Sequence, residues 1–284
     1  MQMKIKKTFF TILIIFSIAS MSYGQTINNE QFPFGMNWKQ IETEYFVVIY
    51  PENLEDKARE IAEMLDAFYP ADSASLHTKA EKWPVIINNT RVYTNGYVMI
   101  PPKHSQLYTI PSQSGFNGTA DWLPFLWSHE LRHIMQHEKM NRGFTAFAGW
   151  VMGQTGTALM SNFALPRWMM EGDAILAETL LTSSGRGRDT SFDLVLRTNL
   201  LNNIKHDYSK ASLGYYASYV SRVPSWYLTG YYLCTYIRKE YGIEAFNQII
   251  ETAADFSFVP LIMNISVRNA TGTSINKIYR DCMY

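Results

Sequence analysis

The stretch from Trp127 to Met135 reads Trp-Ser-His-Glu-Leu-Arg-His-Ile-Met. It sets two imidazoles, a carboxylate and a guanidinium between apolar flanks. Apolar flanks mark a buried segment, and buried charge is costly unless it is paired or bound to an ion. Any fold for this chain must therefore bring a compensating partner to these residues. A helix meets the local half of that demand. His129 and His133 stand at positions i and i+4, on one face and one turn apart. Two neutral imidazoles so placed reach a single metal ion, and Glu130, beside the first, reaches toward a water instead. A histidine pair on a solvent-facing helix is the plainer alternative, and the apolar flanks weigh against it.

A catalytic zinc site keeps three protein ligands and one open position. His137 lies a further turn along, but the helical twist carries it about 80° from His129. Chains that draw a third histidine from the same segment bend back at a glycine, and none follows His133 at that spacing. The stronger candidate is Glu171, in LPRWMMEGDAILAE, residues 165–178. Pro166 suits the first turn of a helix, and Glu171 falls about one turn inside it. Gly172 is expected to let this helix approach the His129–His133 helix closely. Glu178, seven positions after Glu171, returns to within about 20° on the same face. It is the candidate to accept the outer N–H of a ligand histidine. Asp173 points the other way and is expected to cap or to face solvent.

The 284 residues are 47% hydrophobic and 18% charged, a globular composition. Formal net charge is zero, so the basic excess of an electrostatic nucleic-acid binder is missing and no nucleic-acid partner is expected. Lys4, Lys6 and Lys7 precede an uncharged, mainly apolar run from Thr8 to Met21, and Ser22-Tyr23-Gly24 follows. Residues 1–24 read as a secretory signal peptide. An uncleaved anchor is the alternative, although the run falls short of the roughly 20 apolar residues of a spanning helix. No cysteine follows it, which argues against a lipoprotein anchor. The expected location is therefore outside the cytoplasm: periplasm, cell surface or medium. Export permits a disulfide between Cys234 and Cys282, though Cys234, inside an apolar helical run, reads equally well as a buried thiol.

Strands are expected at 45–50, 84–87, 97–100 and 106–110, and an amphipathic helix at 53–68. Residues 111–120, rich in Ser, Gly and Asn, read as loop. From Asp121 the pattern turns helical: 122–139 with Asp121 as cap, 143–160 packed inside against the core, 166–182, 192–204, and 226–240 separated from 243–253 at Gly242. Residues 25–120 thus form an α+β subdomain and 121–284 a mainly helical one, packed as one catalytic domain, 25–284.

The motif at 129–133, followed by Pro166-x-Trp168-x-x-Glu171-Gly172-x-Ala174, resembles the gluzincin metallopeptidases, in particular the bacterial peptidase MA-like group. The resemblance spans roughly residues 38–280. It implies a zincin-like fold, with a small mixed sheet and helix first, the motif helix in the middle and helices after it. It implies one zinc ion held by His129, His133 and Glu171, with Glu130 as general base. Members of this kind often continue into a β-propeller or another module, so this chain is a candidate for a fragment or a short member. Thermolysin-like relatives place an aspartate four positions after the ligand glutamate, where this chain has Ile175.

Such enzymes stabilise the oxyanion with a Tyr or His from the helical half. Tyr227, Tyr231 and Tyr232 are the candidates, and Tyr227 is preferred. The strand at Tyr97–Ile100 offers an edge for an extended peptide. Arg186 and Arg188 offer a grip on a substrate carboxylate, with a solvated loop as the plainer reading. The expected function is an exported zinc metallopeptidase acting on a peptide or protein, with no transmembrane segment once residues 1–24 are removed. A non-catalytic, zinc-stabilised binding or assembly module of the cell envelope is the alternative; a retained Glu130 weighs against it. The same chemistry acting on another exported substrate, such as a cell-wall cross-link, stays open.

Overall fold

Phe46, Val48 and Tyr50 share one face of β2 (Phe46–Pro51), and Trp83, Val85 and Ile87 share one face of β3 (Trp83–Asn88); all six are buried. This period-two pattern founds the sheet. The structure is a computed structural model that describes residues 32–90, 92, 94–111, 121–214 and 222–284. The signal peptide at 1–24 and nearly all of the expected loop at 111–120 lie outside the described residues. Asn37–Tyr284 form one compact unit; of the other unit, Met1–Met36, only residues 32–36 are described, with a turn at Phe34–Gly35.

The sheet has five strands in the order β1-β2-β3-β5-β4, with β1 at Trp38–Glu42, β4 at Gly96–Met99 and β5 at His104–Tyr108. The inner pairs β2–β3 and β3–β5 are parallel, and the outer pairs β1–β2 and β4–β5 antiparallel. β1 escapes a sequence reading because it is an exposed edge without apolar alternation. β4 is the opposite edge.

Helix α1 (Glu55–Leu76) runs past the expected end at Phe68 and through Pro70. Its buried side continues through Tyr69, Asp72 and Leu76, and that packing outweighs the backbone hydrogen bond a mid-helix proline removes. Helix α2 (Trp122–Met140) carries the histidine motif. Asp121 precedes its first turn but makes no side-chain cap. Two indoles fix α2 instead. Trp122 Nε1 donates to the Tyr108 carbonyl at 2.9 Å, at the end of β5. Trp127 Nε1 donates to the Leu65 carbonyl of α1 at 3.2 Å, and its ring meets Phe46 edge-on at 5.0 Å.

The helical remainder comprises α3 (Gly143–Met152), α4 (Gln154–Ala164), α5 (Arg167–Leu181), α6 (Leu194–Leu201), α7 (Tyr208–Leu213), α8 (Trp226–Asp255), α9 (Ile262–Thr271) and α10 (Ile275–Met283). The expected single segment at 143–160 is a two-helix hairpin broken at Gly153, whose φ of 63° suits glycine. Its expected place inside the core is wrong for the outer face, where Phe147, Trp150 and Phe163 are exposed. The small residues bind the two arms to each other: a Cβ on Gly156 would stand 2.1 Å from the Ala148 carbonyl oxygen. Gly242 interrupts α8 with φ 88°, at the residue where the sequence divides it.

Gly172 also needs correction. A Cβ there would lie 2.0 Å from the carbonyl carbon of Gly230, so this glycine serves the crossing of α5 with α8, not the approach to α2. Asp173 neither caps nor faces solvent. Helix α5 is buried on almost every side, so the direction away from Glu171 still points into protein. Asp173 is 1% exposed and accepts from Arg132 Nε at 2.7 Å and from Arg238 Nη2 at 2.8 Å. Arg132 also pairs with Asp72. This buried network ties α1, α2, α5 and α8 together. Burial opposes ionisation of Asp173, but the two guanidiniums outweigh it and hold the carboxyl well below the usual carboxylate range. Its contribution is therefore complete above the unfolded-state value near 4 and is lost only in strong acid. Asp173→Asn should lower stability by about 3–5 kcal/mol at pH 7, because the buried Arg132 and the partly buried Arg238 lose the carboxylate they share; urea unfolding checks this.

Candidate metal centre

His129 and His133 project from one face of α2, as the i, i+4 spacing requires, and Glu171 reaches them from the second turn of α5. The Nε2 atoms of the two histidines stand 3.2 Å apart. Glu171 Oε2 is 3.3 Å from His129 Nε2 and 3.5 Å from His133 Nε2. A tetrahedral zinc with ligands at 2.0–2.1 Å separates its donors by about 3.3–3.4 Å. The three atoms thus have the spacing of one triangular face of such a site.

The outer nitrogens explain why the inner ones carry lone pairs. His129 Nδ1 is 2.9 Å from Glu178 Oε2, and His133 Nδ1 is 2.9 Å from Gln136 Oε1. A ring that donates its Nδ1–H outward to these oxygens presents an unprotonated Nε2 inward; Arg186 Nη2 also stands 2.7 Å from His129 Nδ1. Two lone pairs and a carboxylate oxygen then converge in a buried place, which is unfavourable without a cation. A proton meets part of the demand. Burial opposes charge on His133, but the Glu171 carboxylate outweighs it and lifts the imidazole up to about 9. Glu171 is correspondingly held well below the usual carboxylate range, its desolvation outweighed by the two histidines. The donor set, its spacing and the outward hydrogen bonds all fit zinc, which competes with that proton.

Glu178 lies where the seven-residue spacing puts it, on α5 against His129. Burial would raise its carboxyl, but Arg186 outweighs burial and holds it below the ordinary range, so it is the anion that accepts from the ring. Arg186 grips both Glu178 oxygens, Nε on Oε1 at 2.7 Å and Nη2 on Oε2 at 2.6 Å. The expected grip of Arg186 on a substrate is therefore replaced by a grip on Glu178. Arg188 donates to the Thr179 carbonyl at 2.9 Å, which ties the same loop to α5. Sequence reasoning misses Gln136. Its side chain accepts from His133 and donates to Asp173 Oδ2 at 2.9 Å, linking one ligand to the buried ionic network. Its position three residues after His133 is the signal that could have found it.

His129, His133 and Glu171 line a cavity of about 460 Å³, whose walls include Glu130, Arg186, Tyr227 and residues Gly96, Tyr97 and Val98 of the edge strand β4. Glu130 is 5% exposed, and burial raises its carboxyl above the usual range. Tyr227 stands in the wall with its ring under the Arg186 guanidinium at 5.5 Å. The other two tyrosines are engaged elsewhere: Tyr231 packs on Phe192 and Gly187, and the Tyr232 hydroxyl donates to Asp193 at 3.3 Å. Cys234 and Cys282 are both free thiols.

No family model matches the chain, and no curated protein matches it. Among solved structures it is similar to a two-domain M1 zinc metallopeptidase mutant bound to L-tryptophan, at 14% identity and TM-score 0.44, over 87% of this chain and 51% of that one. It is also similar to an M1 zinc metallopeptidase mutant from Deinococcus radiodurans bound to a Tyr-Ser-Ala substrate, at 13% identity and TM-score 0.41, over the same shares of the two chains. The chain thus spans about half the length of these structures.

His137 stays out of the cluster. Its Nδ1 is buried and finds no partner among the described residues, and burial, with His133 and Lys103 nearby, pulls the imidazole down to about 4. The unfolded chain protonates near 6.5. Stability is complete above that value and should fall between about pH 6.5 and 4, by up to about 3 kcal/mol. Replacing His137 with Phe should remove this part of the slope, measured as the difference in urea midpoint between pH 7 and 4.5. Gln136→Leu frees the outer nitrogen of His133 and should weaken zinc affinity about 10–100-fold, read by competition with a chromophoric chelator.

Proposed function

We propose that this protein is a zinc-dependent peptidase of the gluzincin, peptidase MA-like kind, and that His129, His133 and Glu171 hold one zinc ion. One observation carries the reading: Glu130 faces the same cavity as the three converging donors. A purely structural metal site has no use for a carboxylate beside its open side, and for that reason the binding-module alternative is set aside. Zinc, when bound, supplies Lewis acidity to oxygen atoms brought against it.

The protein's own groups supply the rest. Glu130 accepts a proton from the attacking water and delivers it to the leaving amine. Desolvation makes it a stronger base than a carboxylate in water, which suits this exchange. The Tyr227 phenol is kept protonated by burial and is the donor positioned to stabilise an oxyanion. Glu178, locked by Arg186, orients His129, and Gln136 orients His133. β4 is an edge strand and lines the cavity, so an extended peptide gains backbone hydrogen bonds along it. The chain is further proposed to be exported, on the basis of residues 1–24.

Glu130→Gln should retain zinc at wild-type stoichiometry and lose peptide hydrolysis by about 10²–10⁴-fold. The two readouts are elemental analysis and a peptide-library cleavage screen. Wild-type cleavage rates from this variant, or no zinc in the wild-type protein, would overturn the proposal.

A further inference from the structure

Residues 143–165 and residues 256–267 each lack any charged side chain. They lie about ninety positions apart, and the fold brings them together. Phe144 of α3 meets Phe258, between α8 and α9, at a ring distance of 4.8 Å, and Thr145 Oγ1 lies 2.9 Å from Ser257 Oγ. The aromatic row continues outward from Phe144 to Phe147 at 5.7 Å and on to Trp150 at 6.1 Å. Trp150 is 83% exposed and Leu261 75%, and Val151 and Phe163 are also exposed. Isolated exposed apolar residues are ordinary, but a continuous aromatic and aliphatic face is not.

We infer that the α3–α4 hairpin, with the Phe258–Leu261 turn beside it, is a docking surface that inserts into one leaflet of an anionic lipid bilayer. The exposed charges at the margins, Arg167 and Arg268, are both positive, which suits an anionic lipid surface. Lipid tails ask only that the backbone be satisfied, and helices satisfy their own. The geometry fits a shallow contact: Gln154, at the hairpin's turn, accepts from the Lys103 backbone N–H at 2.8 Å, so the hairpin lies along the body and offers its exposed face, not its tip, to the interface. No helix of the described residues is long and apolar enough to cross a membrane, so the fit is to insertion and not to spanning. Charge also agrees. Arg142 and Arg167 bracket the first stretch, and Arg268 closes the second. Asp255, at the remaining end, is neutralised by Arg142 at 2.9 Å. Arg167 and Arg268 are exposed, placed to meet anionic headgroups as the aromatic residues enter the interface.

The test uses the full chain and vesicles of phosphatidylethanolamine and phosphatidylglycerol, with phosphatidylcholine vesicles for comparison. The protein should float with the anionic vesicles, and the triple variant Phe147→Ser, Trp150→Ser, Phe163→Ser should bind at least about 100-fold more weakly, with unchanged zinc content and melting temperature. Brominated lipid should quench wild-type fluorescence, and Trp150→Phe should remove a measurable part of that quenching; this locates the contact on the hairpin even if residues 8–21 also bind lipid. Equal binding by the triple variant, or quenching unchanged by Trp150→Phe, overturns the inference. So does a wild-type protein that ignores vesicles but self-associates through the same residues in size-exclusion chromatography.

Discussion

Three electron-rich atoms, two imidazole nitrogens and one carboxylate oxygen, converge within 3.2–3.5 Å of one another in a largely buried place. That convergence is the constraint on which the rest of the structure depends. It is unfavourable alone, and it stands because α2 and α5 are held at a fixed separation. The hold is electrostatic as well as apolar. Arg132 of α2 reaches Asp173 of α5 and Asp72 of α1, and Arg238 of α8 shares the same Asp173. The glycine contact between Gly172 and Gly230 then lets α5 settle deeply against α8.

Helix α5 shows how neighbours divide one residue type into different tasks. It carries Glu171, Asp173 and Glu178 within eight positions. Glu171 faces two imidazoles and completes the donor set. Asp173 faces two guanidiniums and binds the helices together. Glu178 faces His129 on one side and Arg186 on the other, and fixes a ring. Arg186 lies near the aromatic faces of Phe125 and Tyr227, so one cation orders the outer hydrogen bond of His129 and a wall of the cavity. Gln136 is the counterpart on His133, which through it leans on the same ionic network that supports the fold.

Much of this arrangement is legible in the amino-acid sequence. The four-residue interval of His129 and His133 and the seven-residue interval of Glu171 and Glu178 are helical arithmetic, and the fold honours both. Strand alternation locates β2 and β3 to within a residue or two. Two of the failures share a cause. Gly172 and Asp173 are each read from their own segment, and each is decided by a segment far away; Arg186 is decided by Glu178 eight positions back, and the outer face of the 143–164 hairpin stays exposed. Gly230 lies 58 positions from Gly172, and Arg132 lies 41 from Asp173. The missed strand β1 carries no apolar alternation because neither of its faces is buried.

The sequence by itself determined what repeats along a helix or a strand: which residues share a face, where glycine breaks a helix, and that two histidines and a glutamate arise from about one turn. Those features depend on backbone geometry that any chain obeys. Only the tertiary structure decided which carboxylate meets the arginines, which helix the glycine of α5 meets, and which apolar face is left outside. Those choices rest on distances between segments that covalent connectivity does not set. They follow from the packing that best buries the apolar surface while leaving each buried charge beside its opposite.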